Sequence, residues 1–275
     1  MKTFSDLNHA EQVLLFSKVF DLKKQGLGYK RIIKRIKLED NVRLALGTLS
    51  YWFNNDVKMI GGENYFEAKP SLELSYILGV MFGDGSACIY SKKQDYFLGL
   101  RVKDKDFAEK FSECGAKVLK KEKAFALVFG KDKIFSMKYS TRIRSKQLYY
   151  FVKDVKNDFE KAKPFIEEFP AEFVRGLADS EGTACVSLGK KFTLSINVAV
   201  STNVLLLKYV NELLNRKFQI ETNLFKSNFV GQQDSIINGR LITRTKDLYR
   251  LSISKKFCIE KFSRLIGFTI RRKQV

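Results

Sequence analysis

The chain has 275 residues, 50 of them Lys or Arg against 30 Asp or Glu, which gives a formal net charge of +20. With 45% hydrophobic residues it is a folded globular protein and not a disordered tail, and its charge calls for a polyanionic partner, nucleic acid before an acidic membrane surface. One histidine and four scattered cysteines (Cys88, Cys114, Cys185, Cys258) exclude a zinc site or a histidine-based nuclease, so any catalysis falls to carboxylates, lysines and a borrowed metal.

Residues 1–60 read as a small all-α N-terminal domain. Val13, Phe16 and Phe20 recur at helical spacing, "YKRIIKRIK" sets Ile32, Ile33 and Ile36 on one side, and "LALGTLSYWF" forms a third helix carrying Thr48, Ser50 and Tyr51. A basic middle helix before a polar last one suggests a helix-turn-helix, although the turn expected from Lys37 to Arg43 is long for that motif and a plain three-helix element is the alternative. Residues 61–69 read as a linker. No run approaches about 18 apolar residues, so no transmembrane helix is expected. The opening "MKTFSDLNHAEQ" lacks a signal-peptide core, so the expected location is intracellular.

From Pro70 onward the chain repeats itself. "GDGSAC" at Gly83–Cys88 returns as "SEGTAC" at Ser180–Cys185. Each copy ends an apolar helix and precedes a strand, a Lys-Lys turn (Lys92-Lys93, then Lys190-Lys191) and an alternating strand, "YFLGLRV" or "TLSINVAV". An amphipathic helix, a second strand pair and a closing helix follow. The spacing predicts two halves, 70–163 and 164–275, each helix–strand–strand–helix–strand–strand–helix. Pro70, Pro164 and Pro170 lie just ahead of the two repeated helices.

Small residues four apart, Gly79 with Gly83 and Gly176 with Ser180, share one helix face and permit close backbone approach. The two helices should therefore pack together and bring Asp84 beside Glu181. Helix C-termini are already negative, so acids are poorly placed there. Two carboxylates about 5 Å apart would repel by roughly 3 kcal/mol at an effective dielectric of 20. A divalent cation removes that conflict, and backbone carbonyls freed at the helix ends are suitable further ligands. In so basic a chain, metal-holding carboxylates imply phosphodiester chemistry.

The two motifs, "ILGVMFGDG" (Ile77–Gly85) and "VRGLADSEG" (Val174–Gly182), resemble the paired signature of the monomeric LAGLIDADG homing endonucleases, a resemblance that extends from about Pro70 to the C-terminus. It implies an α+β fold, a pseudo-twofold pair of αββαββα halves whose antiparallel sheets form a saddle over DNA, with the signature helices between the halves. It also implies that Asp84 and Glu181 hold Mg²⁺ (Mn²⁺ or Ca²⁺ could take the same site), helped by the carbonyls of Gly83 and Ser180. The family places a lysine near each scissile phosphate. Lys103 matches in the first half, while the corresponding place in "VAVSTNV" reads as Ser201, which leaves the second half without its lysine. Asp179, where the motif often has an extra acid, reads as structural more readily than as a third ligand.

Strand alternation sends Phe97, Gly99 and Arg101 toward DNA in the first half, and Ser195, Asn197 and Ala199 in the second. Lys105, Arg142, Arg144, Arg240, Arg244 and Arg250 extend that surface, and the Lys92-Lys93 and Lys190-Lys191 tips suit phosphates. The function expected is site-specific, Mg²⁺-dependent double-strand cleavage across the minor groove of a long target by a single chain. The alternatives are a non-cleaving DNA-binding regulator of the same architecture and an RNA maturase acting on a host intron.

Overall fold

The computed structural model describes residues 1–7, 9–54, 66–90, 95–131, 136–188, 192–237 and 240–274. The chain divides into two units, Met1–Tyr65 and Phe66–Val275. Lys92, Lys93, Lys190 and Lys191 lie outside the described residues.

In the N-terminal unit, strand β1 (Lys2–Thr3) precedes helices α1 (His9–Lys24) and α2 (Tyr29–Asp40), strand β2 (Val42–Arg43) and helix α3 (Leu46–Asn54). Phe16, Val19, Ile32, Ile36, Leu49 and Trp52 close its core, burial that favours the three helices far more than their propensities do. Two expectations are corrected. Helix α2 continues past Lys37 to Asp40, and Asn41 ends it with φ 53°, a left-handed position asparagine tolerates. The long turn thus becomes a short extended segment. That segment, β2, pairs in parallel with β1 because Val42 and Leu44 point into the core, so the unit is not all-helical.

The second unit begins with α4 (Leu72–Phe82), β3 (Ser86–Tyr90), β4 (Asp95–Val102), α5 (Lys105–Val118), β5 (Val128–Lys131), β6 (Met137–Arg144) and α6 (Lys146–Asn157). A 3₁₀ turn and α7 (Lys163–Glu168) lead to α8 (Pro170–Glu181), β7 (Thr183–Leu188), β8 (Phe192–Ser201), α9 (Val204–Phe218), β9 (Asn223–Asn228), β10 (Gln233–Ile237), β11 (Arg240–Thr243), β12 (Leu248–Ile253) and α10 (Lys256–Leu265). Each half folds a four-stranded antiparallel sheet of the same order, β3-β4-β6-β5 and β7-β8-β12-β9. The duplicated αββαββα plan is therefore present, with one addition. Among the described residues, strands β10 and β11 pair only with each other, a hairpin inserted in sequence between the last two strands of the second half.

Local chemistry sets the helix starts. The hydroxyls of Ser71 and Ser145 and the amide oxygen of Asn203 accept hydrogen bonds from the backbone N–H groups of Leu74, Leu148 and Leu206. Pro170 opens α8, whereas Pro164 serves α7 and not the repeated helix. Helix α4 is buried continuously from Leu74 to Met81, apolar all round because it is enclosed on every side. Among the described residues, no helix is long and apolar enough to cross a membrane.

Candidate functional site

Helices α4 and α8 meet backbone to backbone. A Cβ on Gly79 would fall onto the Phe173 carbonyl and 2.8 Å from the Leu177 nitrogen. One on Gly176 would fall onto the Tyr76 carbonyl and 3.1 Å from the Val80 nitrogen, and one on Gly83 would come 2.8 Å from Ser180 Oγ and 3.2 Å from Glu181 Cγ. Ser180 turns its hydroxyl back onto the Gly176 carbonyl at 3.1 Å, so even this larger residue keeps a small profile toward its neighbour. The four small residues thus form the contact, and the residue after Gly83 and after Ser180 is in each case the acid.

Asp84 and Glu181 consequently stand within electrostatic reach of each other. Burial of the Glu181 carboxyl, and secondarily the Asp84 charge, raises its pKa. Burial also raises Asp84, against the opposing pull of Lys273 and Lys138. Although Asp84 is exposed as a residue, its carboxyl lies against enough protein to be partly desolvated. Among the described residues neither carboxylate has a hydrogen-bond or ion-pair partner, and the carbonyls of Gly83 and Ser180 accept no hydrogen bond. A donor set of hard, unsatisfied oxygens at a negative helix end fits a divalent cation. No cluster of three or more His, Cys, Asp or Glu side chains occurs among the described residues. The remaining positions would fall to carbonyls, water or substrate oxygens, a pattern Mg²⁺ accepts because it retains waters.

Asp179 is 1% exposed and accepts from the Tyr76 hydroxyl at 2.7 Å and the Thr269 N–H at 2.8 Å. It ties α8 to α4 and to the C-terminal tail, a structural bracket directed away from Glu181's role. The tail it holds carries no motif that marks it in the sequence. Arg272 pairs bidentately with Asp104 at 2.6 and 2.8 Å, and Asp106 accepts from the Arg271 N–H at 2.8 Å. Lys273, only 7% exposed, then donates to the Asp179 carbonyl at 2.6 Å. Lys156 does the same for α4, donating to the Met81 carbonyl at 2.6 Å. Each repeated helix therefore has an ammonium on its last turn, buried for Lys273 and on an exposed residue for Lys156, where a cation offsets the macrodipole that the acids worsen. Burial depresses the pKa of both lysines. Neither was legible by repeat spacing, since they follow elements that do not align residue for residue.

Beside Asp84 a cavity of about 270 Å³ is lined by Arg101, Lys103, Lys138, Ser180, Arg272 and Lys273 among others. Lys103 and Arg101 thus reach the acid end, and Lys138 joins them without having been expected. The register corrects the second-half counterpart of Lys103. Asp104 and Asn203 are equivalent helix N-caps, so Thr202 occupies the place of Lys103, one residue beyond the expected Ser201.

The sheet faces modify several other expectations. Phe97 lies on the outer face but is 4% exposed, covered by the Tyr90 ring at 5.2 Å and the Arg142 guanidinium at 5.1 Å. It supports the surface and does not form it. Arg142 is exposed above it, and Arg144 is exposed but paired with Asp95 at 3.3 Å. Ser195 and Asn197 are half-buried on the outer face. Ala199 is fully buried because a bulge at Val198 resets the alternation, and Val200 takes the outward place opposite Arg250. Lys105 opens α5, paired with Glu109 at 3.1 Å and off the sheet. Arg240 and Arg244 belong to the inserted hairpin. The Arg240 side chain lies outside the described residues.

The fold is that of the LAGLIDADG homing endonucleases. Residues 168–267 match the LAGLIDADG-like domain. An uncharacterized protein of Methanocaldococcus jannaschii is 29% identical over 275 residues, spanning 100% of this chain and 95% of its own length. The homing endonuclease I-WcaI bound to its DNA recognition sequence superposes with a TM-score of 0.52 at 14% identity, over 80% of this chain and 93% of that one. I-DmoI in complex with DNA and Ca gives a TM-score of 0.47 at 19% identity, over 71% of this chain and 88% of that one.

Proposed function

We propose that the protein is a site-specific DNA endonuclease that hydrolyses phosphodiester bonds with a divalent cation held by Asp84 and Glu181. The observation that carries this reading is the meeting, at the ends of glycine-packed helices, of two carboxylates with no hydrogen-bond or ion-pair partner among the described residues, in a chain of net charge +20. A bound Mg²⁺ would supply positive charge at the phosphate and a more acidic water. The chain's own groups do the rest. Gly79, Gly83, Gly176 and Ser180 set the spacing of the acids, and the Gly83 and Ser180 carbonyls complete the oxygen set. Lys103, with Arg101 and Lys138, neutralises the phosphate that enters the cavity.

Double-stranded DNA would lie on the outer faces of the two sheets, where a strand pair can enter the major groove. Arg142, Ser195, Asn197 and Arg250 would meet base edges, and Arg144 and Arg244 would meet phosphates. The N-terminal unit adds contacts through the basic face of α2 and the polar face of α3, in the manner of a helix-turn-helix. Because both acids come from one chain, a monomer suffices.

The test is selection of cleaved sites from a randomised duplex library with Mg²⁺, alongside Asp84→Asn and Glu181→Gln. A defined site cut by the wild type and bound but uncut by both variants is the expected result. A site bound and never cut would favour a non-cleaving regulator. Preference for structured intron RNA over any duplex would favour a maturase.

A further inference from the structure

We infer that helix α3 of the N-terminal unit recognises thymine, by seating the 5-methyl group of the base against Leu46 and the open backbone at Gly47. This inference rests on the reading of that unit as a DNA-binding element and adds which base edge it reads. Helical spacing sets the face that α3 turns away from its own core. Leu49 and Trp52 are buried in that core, whereas Leu46 and Tyr51 are 50% and 62% exposed. Gly47 and Asn54 are exposed on the same side, and Ser50 lies half-buried among them.

The chemistry of that face is narrow. In the major groove guanine is read by Arg or Lys, adenine by Asn or Gln, cytosine by Asp or Glu, and the thymine methyl by apolar groups. Helix α3 contains no cation and no acid. Its one amide, Asn54, is turned onto its own helix and donates to Ser50 Oγ at 3.1 Å. The hydroxyls of Ser50 and Tyr51 discriminate little between bases. What remains on the first turn, where the second helix of a helix-turn-helix meets base edges, is the Leu46 side chain and the bare Cα of Gly47. Gly47 has no part in the packing of the unit, since a Cβ there would meet nothing within 4 Å among the described residues. A glycine weakens a helix relative to alanine. Gly79 and Gly176 are explained by a facing backbone, whereas at Gly47 the surface that needs the missing side chain lies outside the protein.

The charge beside this face selects duplex DNA as its occupant over an apolar protein segment. A groove of about 500 Å³ is lined by Leu46 and by Gly28, Tyr29, Lys30 and Arg31 at the start of α2. Lys30, Arg31, Lys34 and Lys37 are exposed and have no ion-pair partner among the described residues. Arg35, by contrast, is paired with Glu39 at 2.7 Å. Cations flanking an uncharged helix face match phosphates flanking base edges, with the cations fixing position and the helix face supplying the preference.

The experiment measures equilibrium binding of the full-length protein, in Ca²⁺, to duplexes carrying the selected site with each thymine replaced in turn by deoxyuridine, which lacks only the 5-methyl group. At one or more thymines the wild type should bind the deoxyuridine duplex roughly 4-fold more weakly, the value of one buried methyl-sized group. Leu46→Ala should bind both duplexes alike at those positions. Thymines contacted by the sheets keep their sensitivity in Leu46→Ala, so the lost coupling marks those under α3. Gly47→Leu should leave Tm unchanged or raise it, yet weaken binding about as much as one mismatched base pair, ~10-fold. Lys30→Ala should lower the salt dependence of binding by about one phosphate contact and leave the thymine preference intact. If no thymine methyl couples to Leu46 while Lys30→Ala still lowers the salt dependence, the thymine inference is overturned and the DNA-binding reading of the unit stands. If all three variants leave binding unchanged, both are overturned, and an altered oligomeric state in Leu46→Ala or Gly47→Leu would then assign the face to a second copy of the chain.

Discussion

The two halves of the second unit share their sheet order, their helix caps and their glycine contact, yet they differ in what surrounds the acid at the end of each repeated helix. Around Asp84 stand Arg101, Lys103, Lys138 and Lys273. By sheet register and helix cap, the positions equivalent to the first three in the second half are Val200, Thr202 and Leu248. Packing fixes the symmetric features, because a side chain at Gly79 or Gly176 would strike the facing backbone from either side. Charge at the rim meets no such constraint, and there the halves have diverged.

The largest effect should come from the acids themselves. Asp84→Asn or Glu181→Gln should reduce cleavage by at least ~10²-fold while leaving target binding within a few-fold, read by single-turnover rates and by binding titration in Ca²⁺. Either substitution should act on both strands, since the acids are adjacent.

Lys273→Met and Lys156→Met separate the halves more sharply. Losing Lys273 removes a charge that lowers the pKa of both acids, so the pH midpoint for metal binding should move upward and cleavage should fall roughly 10–100-fold. Losing Lys156 leaves the Met81 carbonyl without its donor, a stability cost of about 1–3 kcal/mol, with the pH midpoint unchanged. Metal titrations across pH check both outcomes.

The shared contact should respond alike from both sides. Gly79→Ala and Gly176→Ala each force a methyl group into a backbone carbonyl, at a cost of about 1–3 kcal/mol. Tm should drop by about 2–4 °C per kcal/mol for a unit of this size. A clear difference between the two would mean that the helices are not packed as described.

Smaller still is the effect of proton linkage. A carboxyl whose pKa is raised by folding stabilises the fold while protonated and opposes it once pH rises from its unfolded value through its folded one. In metal-free protein at pH 7, Asp84→Asn with Glu181→Gln should therefore raise Tm by a few degrees. That gain should vanish below about pH 3.5, where the acids are protonated in both states. Asp104→Asn should matter least, since it loosens an exposed pair with Arg272 worth about 0.2–1 kcal/mol and shifts Tm by roughly 1–2 °C.

The repeated "GDGSAC" and "SEGTAC" made the duplication, the helix contact and the acid pair legible, because close packing admits few residue types and the acids follow it directly. The bulge at Val198 was not legible, since "INVAV" alternates well enough as a regular strand, and with it went the placement of Ala199 and the exact partner of Lys103. The inserted hairpin did leave a signal in Asn238-Gly239 between two apolar pairs, overshadowed by the expectation of a second exact repeat. Lys273 gave the least warning. A lysine two residues from the end of the sequence reads as solvated, and only the brackets from Asp179, Asp104 and Asp106 draw the tail inward.

The central claim is that Asp84 and Glu181 jointly hold the catalytic cation, and anomalous diffraction from crystals of the DNA complex grown with Mn²⁺ addresses it most directly. Anomalous density in contact with both carboxylates, absent in Asp84→Asn with Glu181→Gln, is the result predicted. Mn²⁺ bound elsewhere on the protein, with none at the two helix ends, would contradict it.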